Sequence, residues 1–198
     1  MKNRKLFAAA MTAALAVSMM GTTVMAATSA EGTTNFKYQP GTAAPVDPVT
    51  PGTEETSVNN WMVVYPRNIT LTDSNIEAGD TFTNGAAVTF TVKQKQAGAD
   101  NDDTIKEANI PSGISVSAQG AGADGNYTLS GTQGSATMQL AGFTGTKITN
   151  TADELGLLRH NASTQSGKAK ISDDSAVVDG NEYTGQVTFT FENPANQA

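Results

Sequence analysis

Tyr183-Thr184-Gly185-Gln186-Val187-Thr188-Phe189-Thr190-Phe191-Glu192 is the stretch that decides the fold. Val187, Phe189 and Phe191 take every second position, with Thr188, Thr190 and Glu192 between them. A period of two belongs to a strand with one dry face and one wet face. Threonine suits the wet face, because its branched Cβ fits the pleat while its hydroxyl meets water.

Working outward, the same pattern recurs. Val88, Phe90 and Val92 alternate with Thr89, Thr91 and Lys93, and Ile69 and Leu71 alternate with Thr70 and Thr72. Trp61-Met62-Val63-Val64-Tyr65 is a near-continuous apolar strand stopped by Pro66, with Trp61 expected in the core. Shorter strands are expected at Ile114–Val116, Tyr127–Leu129 and Met138–Leu140. Turn signals separate them at Asn84-Gly85, Pro111-Ser112-Gly113, Asp124-Gly125 and Asp179-Gly180-Asn181. Strands with one wet face belong to antiparallel sheets. The expectation is an all-β chain forming a single antiparallel, immunoglobulin-like β-sandwich. One short helix is expected from the capping box Thr151-Ala152-Asp153-Glu154, with Leu155, Leu158 and Leu157 on its apolar side.

The N-terminus gives an address. Lys2, Arg4 and Lys5 precede an apolar run from Leu6 to Met20, and Val24-Met25-Ala26 places small side chains around a cleavage point. That order is the order of a secretory signal peptide, and the run falls short of the ~20 residues needed to cross a bilayer. Residues 1–26 are thus expected to be removed, leaving a secreted, extracellular product with no membrane contact. Residues 27–60 read as a flexible N-terminal arm and linker, because Pro45, Pro48 and Pro51 favour extended, solvated chain. The arm carries a short strand in which Phe36 and Tyr38 share one side, across from Lys37. These two aromatics are the expected partner-binding residues: they dock on their own domain or add to the sheet edge of a second copy. Residues 61–193 are the expected β-sandwich, and residues 194–198 a tail.

Without the first 26 residues the chain keeps nine Lys and Arg against 19 Asp and Glu, a net charge of −10. Such a surface repels phosphate, which argues against nucleic acid and anionic lipid. The absence of cysteine removes disulfides, thiolate metal sites and a thiol nucleophile. His160 is the sole histidine and has no Gly-x-Ser-x-Gly elbow beside it, so no serine triad is expected. Gly120-Ala121-Gly122-Ala123-Asp124-Gly125 matches the dinucleotide fingerprint in letters, but the residues that follow alternate as a strand. Asp100, Asp102 and Asp103 are the candidates for a weak extracellular calcium site, with Asp173, Asp174 and Asp179 as a second acidic patch. Lys93 or Lys95 with Asn193 are conceivable ends of an internal amide crosslink. The expectation is no enzyme, no cofactor and no resident metal.

The stretches Trp61–Asp73 and Tyr183–Phe191 together carry a resemblance. The chain resembles secreted surface proteins of Gram-positive bacteria, in the neighbourhood of the WxL cell-wall-associated domains. That resemblance implies a β-sandwich held at the wall without a covalent sortase anchor, with wall polymer as a partner. The expected function is an exported, non-enzymatic structural or adhesive surface protein that self-associates by strand addition through its arm. The alternative is an extracellular glycan- or calcium-binding module.

Overall fold

The computed structural model describes residues 29–41, 53–58, 61–94, 113–149, 154–158 and 164–192. Eleven strands occupy them: β1 Ser29–Gln39, β2 Thr53–Val58, β3 Trp61–Pro66, β4 Asn68–Thr72, β5 Ala86–Gln94, β6 Ile114–Gln119, β7 Asn126–Ser130, β8 Ser135–Ala141, β9 Glu154–Leu158, β10 Thr164–Asp173 and β11 Tyr183–Glu192. Two single 3₁₀ turns, Asp73–Asn75 and Ala123–Gly125, are the helical elements among the described residues. The chain is nearly all-β.

The strands join into one mixed sheet in the order β2-β3-β5-β10-β8-β7-β11-β1-β4, with β6 beside β11 and β9 beside β6. Two connections nearly close it. Ser130 of β7 pairs with Thr184 at the start of β11. At the opposite side Ile76, just past β4, forms a parallel bridge to Ile171 of β10. The dry faces meet inside, where Phe90 of β5 stands edge-on to Phe189 of β11 at 5.0 Å and Phe191 lies 5.9 Å away. Trp61, Val63, Leu71, Val88, Val116, Met138 and Val187 complete that core, as their alternation predicts.

Antiparallel pairing holds along most of the sheet, and β1 with β4 is the exception. Asn35 to Gln39 run parallel to Asn68 to Thr72. The cause is a corner at Pro66-Arg67. Pro66 has no N–H to extend the ladder, so β3 ends between β2 and β5 and the chain continues as β4 on the far flank. The Thr34 hydroxyl donates to Pro66 O at 2.5 Å and Asn35 N donates to Arg67 O at 2.9 Å, which fastens the corner to β1.

Three expectations need correction. Residues 151–158 do not begin a helix at their described end, since Glu154–Leu158 is a strand paired with β6. The helical spacing of Leu155 and Leu158 arises differently. Gly156 sits at φ 141°, which breaks strand alternation and buries both leucines on one side. Next, the domain starts at Ser29 rather than Trp61. β1 and β2 are built into the sheet, so the N-terminal segment is no detached arm at its described residues. The third concerns a purely antiparallel sheet, which the β1–β4 ladder rules out.

Over the outer face of β10 lies a strap formed by residues 77–84. Lys168 Nζ donates to Phe82 O at 2.8 Å, and Lys170 Nζ donates to Thr81 O at 2.8 Å and to Gly79 O. Phe82 covers the ammonium of the fully buried Lys170, whose nitrogen lies 4.6 Å from the ring centroid. Glu77 ties the strap's ends, accepting from the Thr81 hydroxyl and from Asn84 N.

Candidate functional site

The candidate site is β1 itself, which works on both faces. Its inward side chains alternate with its outward ones, so Phe36 and Tyr38 enter the core and are fully buried. Phe36 stands across from Gly185 of β11, and Tyr38 across from Tyr183 with ring centroids 6.3 Å apart. Gly185 makes room there, because a Cβ on it would lie 2.7 Å from Leu129. The Tyr38 hydroxyl donates to the Asp73 carboxylate at 2.9 Å, and the second Asp73 oxygen accepts from Gly41 N. Burial pushes the Tyr38 phenol well above its ordinary range, and the Asp73 carboxylate pushes it further. The two aromatics expected to bind a partner are therefore brought together, and within this chain their partner is its own sheet.

The outward face of β1 forms the floor of a trough. One depression of about 440 Å³ is lined by Asn35, Lys37, Asn68, Thr70, Glu182, Thr184 and Gln186, with Phe36 and Gly185 beneath. A second, of about 380 Å³, adjoins it through Asn35 and Gln186 and extends past Glu31, Thr33, Glu54, Tyr65 and Arg67. Register explains the row at its centre: Asn35 is paired with Gln186 on one side and with Asn68 on the other. The three amides join across the strands, Gln186 Nε2 donating to Asn35 Oδ1 at 2.9 Å and Asn35 Nδ2 to Asn68 Oδ1 at 3.2 Å.

Charges in the trough come largely in opposite pairs. Lys37 meets Glu182, and Arg67 Nε lies 3.3 Å from Glu54 Oε1. Tyr65 borders the second depression, and burial raises its phenol pKa, with the Glu54 charge adding to that. The result is a surface rich in amides and hydroxyls with little net field. It is suited to a neutral ligand that both donates and accepts hydrogen bonds.

Other expected site residues fare differently. Asp100, Asp102 and Asp103 lie outside the described residues, as do His160, Lys95 and Asn193. The second acidic patch is partly assembled, for Asp174 and Asp179 act with Asp73 on Tyr38. Among the described residues no group of three or more His, Asp or Glu side chains is placed to hold a metal ion. The glycine-rich run ends in a 3₁₀ turn that leads directly into β7, with Gly122 N donating to Asn126 O at 2.7 Å, so no helix N-terminus is available for a pyrophosphate. The amide row escaped the sequence. Each of its members is readable as an outward residue, yet only the pairing of β1 with β4 and β11 aligns them.

No family model, curated protein or solved structure matches the chain.

Proposed function

We propose that this chain is an exported, non-enzymatic structural or adhesive protein of the cell surface, whose facing flanks act as the layers of a sandwich. It holds a hydroxyl-rich glycan of the wall along the outward face of β1. The observation that carries this reading is the trough, with its in-register row Asn68–Asn35–Gln186. From Glu31 to Lys37 it follows six residue steps of β1, about 20 Å at ~3.3 Å per step. That length accommodates a linear chain of several sugars.

A peptide suits this surface less well. Between Asn35 and Tyr38 both edges of β1 are taken by β11 and β4, so that part of the floor offers side chains rather than backbone to a ligand. Primary amides both donate and accept, which matches neighbouring hydroxyls on a sugar ring. The paired charges disfavour a polyanion, and the signal-like residues 1–26 favour a location where wall glycans are met.

A titration of ¹⁵N-labelled residues 27–198 with chitotetraose and cellotetraose tests the reading. Saturable shifts of the side-chain amides of Asn35, Asn68 and Gln186 are expected with at least one probe. Asn35→Ala is expected to weaken that binding about tenfold, the worth of one or two hydrogen bonds. Absence of saturable shifts with both probes removes the glycan role, and recovery of the protein from the cytosol of its own cells removes the surface role.

A further inference from the structure

We infer that the trough selects a glycan whose sugars carry free amino groups, and that Glu31 is the side chain that sets this preference. The preference rests on the glycan reading and deepens it, by naming which class of glycan the same surface takes.

Charge is balanced along one part of the trough and unbalanced along the other. In the first depression Lys37 meets Glu182, and no further charged side chain lines it. The second depression holds Arg67, Glu54 and Glu31. Arg67 is engaged by Glu54, with Nε and Oε1 3.3 Å apart. Glu31 is exposed and has neither a cation nor a hydrogen-bond donor at its carboxylate among the described residues.

Register explains why nothing compensates it. Glu31 stands opposite Thr190 of β11, whose hydroxyl oxygen accepts from Gln119 Nε2 at 2.6 Å. Its diagonal neighbour on the same face is Glu192, which stands opposite Ser29. Like charges on adjacent strands repel, so this carboxylate works against the fold rather than for it. In the other direction along β1, Thr33 and Thr188 are opposed with hydroxyl oxygens 3.3 Å apart, and the amide row at Asn35 follows. The floor thus runs from amides, through hydroxyls, to an unpaired carboxylate. Asn35 and Glu31 are four residue steps apart, about 13 Å.

A ligand matched to that order exchanges hydrogen bonds along its length and brings a cation to one end of the floor. A hexosamine polymer without N-acetyl groups has this chemistry. Its ring hydroxyls meet the amides and threonines, and its ammonium donates to the Glu31 carboxylate. An N-acetylated chain presents a neutral amide there, and a uronic acid chain presents a second anion. The net charge of −10 on residues 27–198 draws any polycation toward the molecule, so the test must separate Glu31 from that general field.

The experiment titrates ¹⁵N-labelled residues 27–198 with chitotetraose, with its fully deacetylated counterpart, the glucosamine tetramer, and with tetralysine. A mildly acidic buffer keeps the amines charged and Glu31 ionised. The glucosamine tetramer is expected to bind about fivefold more tightly than chitotetraose, the upper end of what an exposed ion pair supplies. Its shifts are expected to include the backbone amides of Glu31 and Thr33, and Glu31→Gln and added salt should each shrink the difference. Equal or weaker binding of the glucosamine tetramer, with chitotetraose still saturable at Asn35, Asn68 and Gln186, overturns the inference and leaves the glycan reading standing. A preference that survives Glu31→Gln does the same. Tetralysine binding at those amides as tightly as the glucosamine tetramer also overturns it, because the surface then collects cations in general. No saturable shift with either sugar removes the preference together with the glycan reading.

Discussion

Tyr38 shows how much of the fold can rest on one side chain. It is fully buried, faces Tyr183, and reaches Asp73 through its hydroxyl. Burial first, and then the Asp73 carboxylate, raise its pKa in the folded state. A group with a raised folded pKa stabilises below its unfolded value, and that contribution is lost as pH climbs beyond it. An unfolded phenol ionises near pH ~10. The urea midpoint is therefore expected to hold through neutral pH and to fall above about pH 10, with phenolate absorbance appearing together with unfolding. Tyr38→Phe should cost about 1.5–3 kcal/mol at neutral pH, one hydrogen bond to a charged group, and should blunt the alkaline loss. A variant whose midpoint falls with pH as steeply as the parent's would remove Tyr38 as the cause. The sequence makes half of this visible: alternation puts Phe36 and Tyr38 on one side, while Asp73 lies too far along the chain for any local pattern to pair it with Tyr38.

The strap over β10 sets its prediction at the scale of elements. Its backbone carbonyls at Gly79 and Thr81 are held by Lys170, and Lys168 holds Phe82. Desolvation lowers the Lys170 pKa, with Glu77 and Asp80 opposing that shift. Lys170→Met keeps the packing length against Phe82 but leaves those carbonyls without their donor. The expected outcome is a loss of about 1–3 kcal/mol, with faster amide hydrogen exchange confined to residues 77–84. Unchanged exchange there would show that the strap does not depend on Lys170. Glu77 adds an acid dependence. The Thr81 hydroxyl and Asn84 N–H hold its carboxyl below the usual range, so its contribution is present above the ordinary carboxylate pKa and fades as pH falls through the lowered one. Glu77→Gln should flatten that acid limb. None of the strap was legible in the sequence, because no local pattern links Lys168 and Lys170 to carbonyls 86 and 89 residues away. β9 was misleading for the complementary reason: its leucine spacing is helical, and Gly156 with the open edge of β6 overrides it.

For the whole molecule, the decisive fact is that, among the described residues, the first strand pairs with the last, Ser29 opposite Glu192. Such pairing carries a large loop-closure cost, so refolding is expected over roughly milliseconds to seconds rather than microseconds. The single tryptophan, Trp61, is buried and reports it by stopped-flow fluorescence. A microsecond phase carrying the full amplitude would contradict this topology. The all-β class and most inward residues were readable from period-two patterning. Strand order was not, because threonine-faced strands are interchangeable to any local rule and the parallel β1–β4 ladder depends on the corner at Pro66-Arg67. That register has a mechanical consequence. Where β1 and β11 of one chain are neighbours, tension applied at Ser29 and Glu192 pulls from the same end of the ladder, and its bonds open one after another like a zipper.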